Sequence, residues 1–526
     1  MRLPCRWVIV VGLAAMCSGC GDSSTRAVLT GPPVDVAIDA GRLRGVIVNS
    51  VAVFRGVPYA VPPVGPLRWR PPQPVKAWAD VRAANAYGND CMQNRLPFDS
   101  APSDQPKSED CLVLNVWAPA TRPSAAVPVM VWVHGGGFVQ GSGTSLVYDG
   151  VSLAQRGVVV VTFNYRLGRF GFFAHPALLR EAGDEPFGNY GLMDQIALLE
   201  WVRTNIAAFG GDPGNVTLWG ESAGGASINA LLVCPAAQEL FHKAIVESGG
   251  GRDDWALISQ QRRGRPSAVA SAKAFAEGAG VKTDDVAALR AIPAGEVLGW
   301  LSMINQQPET YSGAIVDGRL VPTDVIQAFA RGRQAKVPYL IGSNNYELTL
   351  LPMIGQFTKT ALDAFGDARG EVTRIYDPDG GHAEIDKYLV NDLFFAEPAR
   401  FFARTMAQGE SPTWLYRFSY VREAKRAKQG GAPHTSEVPF VFDTIGVAFD
   451  GASAQDHQVA RQMSDYWISF ARSGDPNGGG RPVWPAYAPQ TNDLLEFTGQ
   501  GPVARQNLDK QRLDYLQTRW EARSQW

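Results

Sequence analysis

Short apolar, β-branched runs alternate along this chain with stretches whose apolar residues recur every three to four positions. Residues 127–133, 158–163, 216–219, 243–247, 337–341 and 414–421 read as strands. Between them, 192–209 sets Ile196, Leu199, Val202 and Ile206 at helical spacing, and 226–232 reads as a helix following closely on the third run. Such alternation predicts an α/β fold with a mostly parallel central sheet covered by helices on both faces. Ligand chemistry then belongs at the carboxyl ends of the strands. The first hundred residues are Pro-rich, with Gly65-Pro66 and Pro71-Pro72, and predict an irregular edge wrapped on the core. Residues 267–332 and 353–404 are helix-rich and weakly patterned, which predicts helical cap insertions over a site. No repeat, low-complexity tract or interdomain linker divides the 526 residues.

Composition adds limits. With 49 Lys+Arg against 51 Asp+Glu, the chain has no electrostatic case for binding nucleic acid or an anionic membrane. The N-terminus reads as a processing segment: Arg2 and Arg6 precede an apolar stretch, Trp7 to Met16, too short to span a bilayer. Cys17-Ser18-Gly19-Cys20 then resembles a bacterial lipoprotein cleavage box with Cys20 lipidated; an ordinary secretory signal is the alternative. The expected division is a signal at 1–20, a tether at 21–34 and a catalytic domain at 35–526, exported to the cell envelope or secreted. Of six cysteines, Cys5 and Cys17 leave with the signal. Cys91 and Cys111 remain as a candidate pair beside an odd Cys234, which reads as a buried thiol.

The densest chemistry lies at Gly220-Glu221-Ser222-Ala223-Gly224, after the run Val216-Thr217-Leu218-Trp219. A bare G-x-S-x-G match arises by chance, but a strand before it and a helix after it make the sharp turn that lifts a serine hydroxyl clear of a sheet. Such a serine needs a base, and the base an orienting acid, in the order nucleophile, acid, histidine. Elimination among six histidines favours His434: His134 and His175 precede Ser222, and His242 starts a core strand. His457 sits on an amphipathic helix and His382 in a solvated turn. His434 lies in a glycine-rich loop after the strand at 414–421. Glu347, leaving the strand at 337–341, is the expected acid; Asp317 and Asp324 sit in turn-like and cap-like patterns instead. His134-Gly135-Gly136-Gly137-Phe138 follows the strand at 127–133. Its consecutive glycines can aim backbone N–H groups, together with that of Ala223, at one negative oxygen. No metal-ligand spacing of Cys or His appears, and the chemistry calls for no cofactor.

Together these residues resemble the type-B carboxylesterase/lipase family, the cholinesterase-like branch of the α/β hydrolases, from about Ile38 onward. Phe54-Arg55-Gly56-Val57-Pro58-Tyr59-Ala60, Glu109-Asp110-Cys111-Leu112-Val113-Leu114-Asn115-Val116 and Phe209-Gly210-Gly211-Asp212-Pro213 through Gly225 carry the likeness. The resemblance implies the α/β-hydrolase fold, a Ser222–Glu347–His434 triad, and an oxyanion hole from Gly136, Gly137 and Ala223. It also implies supports for the histidine at Glu221, Ser248 and Glu437, a Cys91–Cys111 disulfide, and structural ion pairs Arg68–Glu109 and Arg166–Asp194. The activity it implies is hydrolysis of small-molecule carboxylic esters through an acyl-enzyme. A lipase, a carbamate or amide hydrolase, and a non-catalytic binding protein of the same fold are the alternatives. Leu348 and Thr435 stand where the family usually has glycine. The loop from Cys91 to Cys111 holds only Phe98 as an aromatic, which argues against a quaternary-ammonium substrate.

Overall fold

Alternating side chains sort the strands onto the two faces of one sheet. The computed structural model describes residues 28–523 apart from 97–98, 122–123, 251, 253–254, 349–353 and 381–382. The expected signal with Cys20, Phe98 and His382 therefore lie outside the described residues. The main path of the sheet comprises β1 (Pro33–Ile38), β2 (Gly41–Val48), β3 (Val51–Pro58), β4 (Val113–Pro119), β5 (Val127–Val133) and β6 (Val159–Phe163). It continues with β7 (Gly211–Glu221), β8 (Lys243–Glu247), β9 (Tyr339–Asn344), β10 (Thr413–Phe418), β11 (Leu494–Thr498) and β12 (Gly501–Arg505). Their order is β1-β2-β3-β4-β6-β5-β7-β8-β9-β10-β11-β12. From β6 through β11 every neighbouring pair is parallel, and antiparallel strands close both edges.

The central strands are buried on both faces, so they read as continuous apolar runs. Val129, Val131, Val133, Leu218 and Val246 face one core, with α1 (Tyr190–Asn205), α2 (Ala223–Leu232) and α3 (Glu397–Gln408) packed over it. Met130, Trp132, Trp219, Ile245 and Leu340 face the other, covered by α4 (Ala454–Ser473) through Met463, Tyr466 and Trp467. The helix α4 is set by local chemistry at both ends: Ser453 and Asp456 form a capping box, and Gly474 ends it at φ 79°. Trp132, Trp219 and Phe442 pack with centroids 4.5–5.0 Å apart beneath the carboxyl ends of β5 and β7.

The described residues among the first hundred differ from the irregular edge expected. They do form an edge, but β1, β2 and β3 are regular antiparallel strands of the same sheet, and β1 begins at Pro33, so its first two residues overlap the stretch expected to be a tether. Strand β3 is buried along nearly its whole length, so it shows no alternation to read. Helices dominate the described residues of 353–404, whereas 267–332 holds four short helices, a two-residue strand at Ile315–Val316 and a long irregular stretch between them. Among the described residues no helix is long and apolar enough to cross a membrane, and no cluster of His, Cys, Asp and Glu is placed to hold a metal ion.

Candidate active site

Strand β7 ends at Glu221 and α2 begins at Ala223, so Ser222 alone makes the turn, at φ 54° and ψ −121°. A residue with a side chain adopts such angles only where its surroundings impose them, at a cost of about 1–3 kcal/mol. Here the Ser222 N–H donates to the Glu247 carbonyl of β8 (2.9 Å), and the Ser222 carbonyl accepts from Ala226 N–H (2.9 Å). The flanking glycines are steric requirements. A Cβ on Gly220 would stand 2.5 Å from the Val133 oxygen, and one on Gly225 2.7 Å from Gly249 Cα.

The structure places Glu347 and His434 together above this turn. Glu347, 2% exposed, follows β9. One of its oxygens accepts from Ser248 Oγ and from the Asn344 N–H, each at 2.7 Å, and the other stands 2.6 Å from His434 Nδ1. The His434 N–H donates to the Glu347 carbonyl at 2.9 Å, so backbone and side chain fix the two loops to each other. His434 Nε2 lies 3.1 Å from Glu221 Oε1, beside the serine turn. Among the described residues no hydrogen bond joins the Ser222 hydroxyl to His434. Bonds of this kind often tighten only once substrate is bound.

Charge is concentrated around the imidazole. Burial opposes its protonation, but the carboxylates of Glu221 and Glu347 outweigh that and push His434 up to about 10. Burial in turn raises Glu221 well above the usual carboxylate range, against the pull of the His434 charge. Glu437, buried and close to Glu347, is pushed up to about 7, although an Asn344 amide hydrogen bond opposes the shift. Behind it, burial raises Glu247, whose Oε1 accepts from Trp467 Nε1 at 2.7 Å.

The glycine turn after β5 abuts the same point. A Cβ on Gly135 would meet Glu221 Oε2 at 2.7 Å and Ser222 Cβ at 3.0 Å. Gly136 and Gly137 have φ of 97° and 59°, conformations that favour glycine. The N–H groups of Gly136, Gly137 and Ala223 have no acceptor among the described residues. The His134 side chain is not part of this cluster: it is buried, stacked on Tyr165 at 4.4 Å, with Nδ1 against the Gly135 oxygen.

The structure also places the other residues singled out in the sequence. Cys91 and Cys111 form a disulfide, and Cys234 is a buried free thiol. Arg68 grips Glu109 and Arg166 grips Asp194, each through two nitrogens. Asp317 accepts from the Arg319 and Val321 amides, and Asp324 caps the helix Val325–Ala330. Thr435 takes φ 68°, which accounts for glycine being usual there, and its hydroxyl donates to Ser100 Oγ at 2.6 Å.

Three contributors escaped sequence reasoning. Asn344 ends β9 and donates its side-chain amide to Glu437 and to the Pro433 carbonyl. Asn391 accepts the Glu347 N–H at 3.1 Å, and the Phe395 ring lies 5.0 Å from the His434 ring. The last two come from the cap segment 353–404, where a π-helical turn, Asp392–Ala396, interrupts the helices. Asn344 could have been found from its place at a strand end. The cap residues carry no pattern that marks them.

This chain matches the Carboxylesterase family over residues 32–370 and 382–516. It is 37% identical over 488 residues to a fumonisin B1 esterase of Sphingopyxis macrogoltabida, covering 88% of this chain and 86% of that one. It is 38% identical over 473 residues to the para-nitrobenzyl esterase of Bacillus subtilis (strain 168), covering 88% and 94%. A solved PNB esterase superposes with a TM-score of 0.79 at 34% identity, covering 91% of this chain and 99% of that one. A carboxylesterase of Geobacillus stearothermophilus does so at 0.77 and 34%, covering 91% and 98%. Sharing both its sequence and its α/β-hydrolase architecture with these proteins over most of its length, the chain belongs to the carboxylesterase family.

Proposed function

We propose that this protein is a serine carboxylesterase that hydrolyses small-molecule esters through an acyl-enzyme. Ser222 Oγ attacks the ester carbonyl carbon as His434 Nε2 takes its proton, and Glu347 holds the imidazole and stabilises its charge. The N–H groups of Gly136, Gly137 and Ala223 hold the oxyanion; losing one such donor typically costs about 10²–10³ in rate. The alcohol leaves with the proton from His434. Water, deprotonated by the same imidazole, then releases the acid and restores Ser222. The observation that carries this reading is the 2.6 Å contact between His434 Nδ1 and Glu347, with the opposite ring edge turned to the residue before Ser222. Two relatives whose names record ester substrates support the substrate class. A fluorophosphonate probe tests it: wild type is labelled and turns over short-chain nitrophenyl esters, and Ser222→Ala does neither. Labelling retained in that variant sinks the proposal.

We also propose export, with lipid on Cys20, from the sequence pattern around it. Cys20→Ala then shifts the protein out of the membrane fraction; unchanged fractionation excludes the anchor.

A further inference from the structure

The loop closed by Cys91 and Cys111 reaches the glycine turn at two points: Asp99 accepts from Gln140 Nε2 at 3.3 Å, and Gln93 binds Gly141. Gln93, 1% exposed, binds both backbone groups of one residue: Oε1 accepts the Gly141 N–H at 2.9 Å, and Nε2 donates to the Gly141 carbonyl at 2.8 Å. The same Nε2 also donates to the Cys91 carbonyl at 3.1 Å, tying the clamp to the disulfide.

Gly141 is rigidly placed against the residues that hold the oxyanion donors. At φ 109°, a Cβ there would strike the His134 ring and stand 2.6 Å from the Gly135 oxygen. The residue before it, Gln140, donates its N–H to the Gly136 carbonyl at 3.0 Å, and Val139 does so at 3.1 Å. The position of Gly141 thus sets that of Gln140, which orients the Gly136 peptide. The clamp is braced at a second point. Asn94 donates to the carbonyls of Gly299 (2.9 Å) and Leu301 (3.0 Å), at the base of the cap hairpin whose Met303 lies against Gly137. The disulfide loop therefore holds Gly141 of the glycine turn with one residue and the segment leading to Met303 with the next.

We propose that Gln93 is a positioning residue for the oxyanion donors Gly136 and Gly137, with Asn94 fastening the cap hairpin to the same loop. The proposal rests on the reading of these N–H groups given above. Gln93 touches no reacting atom; it acts by denying the glycine turn the freedom to drift. Loss of the clamp weakens stabilisation of the tetrahedral intermediate and leaves ground-state binding alone, because the ground-state carbonyl depends less on those donors than the oxyanion does.

Gln93→Glu and Gln93→Met test this in the full-length, disulfide-intact enzyme, with kcat computed per site titrated by the fluorophosphonate so that misfolded protein does not count. Both keep the length of the side chain and lose the amide donor. The expected result is a fall in kcat of about tenfold or more, below the ceiling of about 10²–10³ for outright loss of a donor. KM for a short-chain nitrophenyl ester stays within twofold. The inhibition constant of a trifluoromethyl ketone, whose adduct places an oxyanion against the same donors, rises by the same factor as kcat falls. A kcat per titrated site and a ketone affinity both within twofold of wild type overturn the proposal, as does a loss shared equally by KM. Labelling that survives Ser222→Ala overturns the reading of the site itself, a separate and prior result.

Discussion

His434 Nε2 stands 3.1 Å from Glu221 Oε1, while Nδ1 on the far side of the ring stands 2.6 Å from Glu347 Oε2. The imidazole is held between two buried carboxylates, one of them contributed by the residue directly before Ser222. An imidazolium formed as the serine gives up its proton would be stabilised from both sides in a site of low dielectric. The same carboxylates tax the resting enzyme, because they favour the protonated ring, which cannot act as a base.

Glu221→Gln separates these two effects. Under the proposed mechanism His434 must be neutral to act as base, so kcat/KM climbs as pH rises through the His434 pKa, which the carboxylates hold up at about 10. Unit charges 4 Å apart are worth about 4 kcal/mol at an effective dielectric of 20, against about 1.4 kcal/mol per pKa unit. The variant should therefore move the acid limb of the profile down by at least about one unit, and lower the plateau rate. A limb that stays in place would mean that Glu221 carries no charge beside the ring.

Glu437→Gln should change how stability depends on pH. The folded protein holds this carboxyl at about 7, against an ordinary value of 4.5. An acid whose folded pKa is raised contributes stability below its unfolded value, and that contribution is lost as pH rises through the folded value. Glutamine mimics the protonated form at every pH. The variant and wild type should melt alike near pH 4.5, and the variant should be more stable by about 1–3 kcal/mol at pH 8. A gap that does not widen between those pH values contradicts the assignment.

Arg166→Met should cost about 3–5 kcal/mol, because it strands a buried carboxylate. Asp194 is fully buried, and Arg166 gives it two guanidinium contacts at 2.7–2.8 Å and a backbone N–H at 3.0 Å. The exposed pair Lys359–Asp363 provides the contrast, since Lys359→Met there should cost less than about 1 kcal/mol. Urea unfolding of the two variants side by side decides it; equal losses would refute the argument.

Gly224→Ala should inactivate the protein. A Cβ there would run into the Val133 carbonyl and stand 3.0 Å from the His134 oxygen, both backbone atoms that cannot swing aside. Relief requires separating the serine turn from the glycine turn, the two groups that share one substrate in the proposed mechanism. A fall in kcat/KM of about 10²-fold or more, or failure to fold, is expected. Turnover within a few-fold of wild type would show that the elbow can yield.

Much of the site is legible in the linear chain because each part has its own local mark. The serine lies in a five-residue turn pattern, the glycine turn directly follows an apolar run, and the histidine is the survivor of an elimination among six. The runs at 127–133 and 243–247 coincide with β5 and β8 because a strand buried on both faces carries consecutive apolar residues, Val129–Val133 in one and Ala244–Val246 in the other. The regular edge β1–β3 was not legible. Its pairing with β4 joins residues about sixty apart, and nothing in a Pro-rich stretch records a distant partner.

By itself the sequence determined the α/β alternation, the serine turn, and the side chains available to act as base and acid, since these follow from local periodicity, glycine geometry and residue chemistry. Only the tertiary structure decided that Glu221 faces His434, that Asn391 and Phe395 stand against Glu347 and His434, and that Gln93 holds Gly141 beside the glycine turn. Those contacts join residues 39 to more than 200 positions apart, or hang on the direction in which one side chain leaves a loop. Close packing of whole elements sets both, and no stretch of the chain encodes them alone.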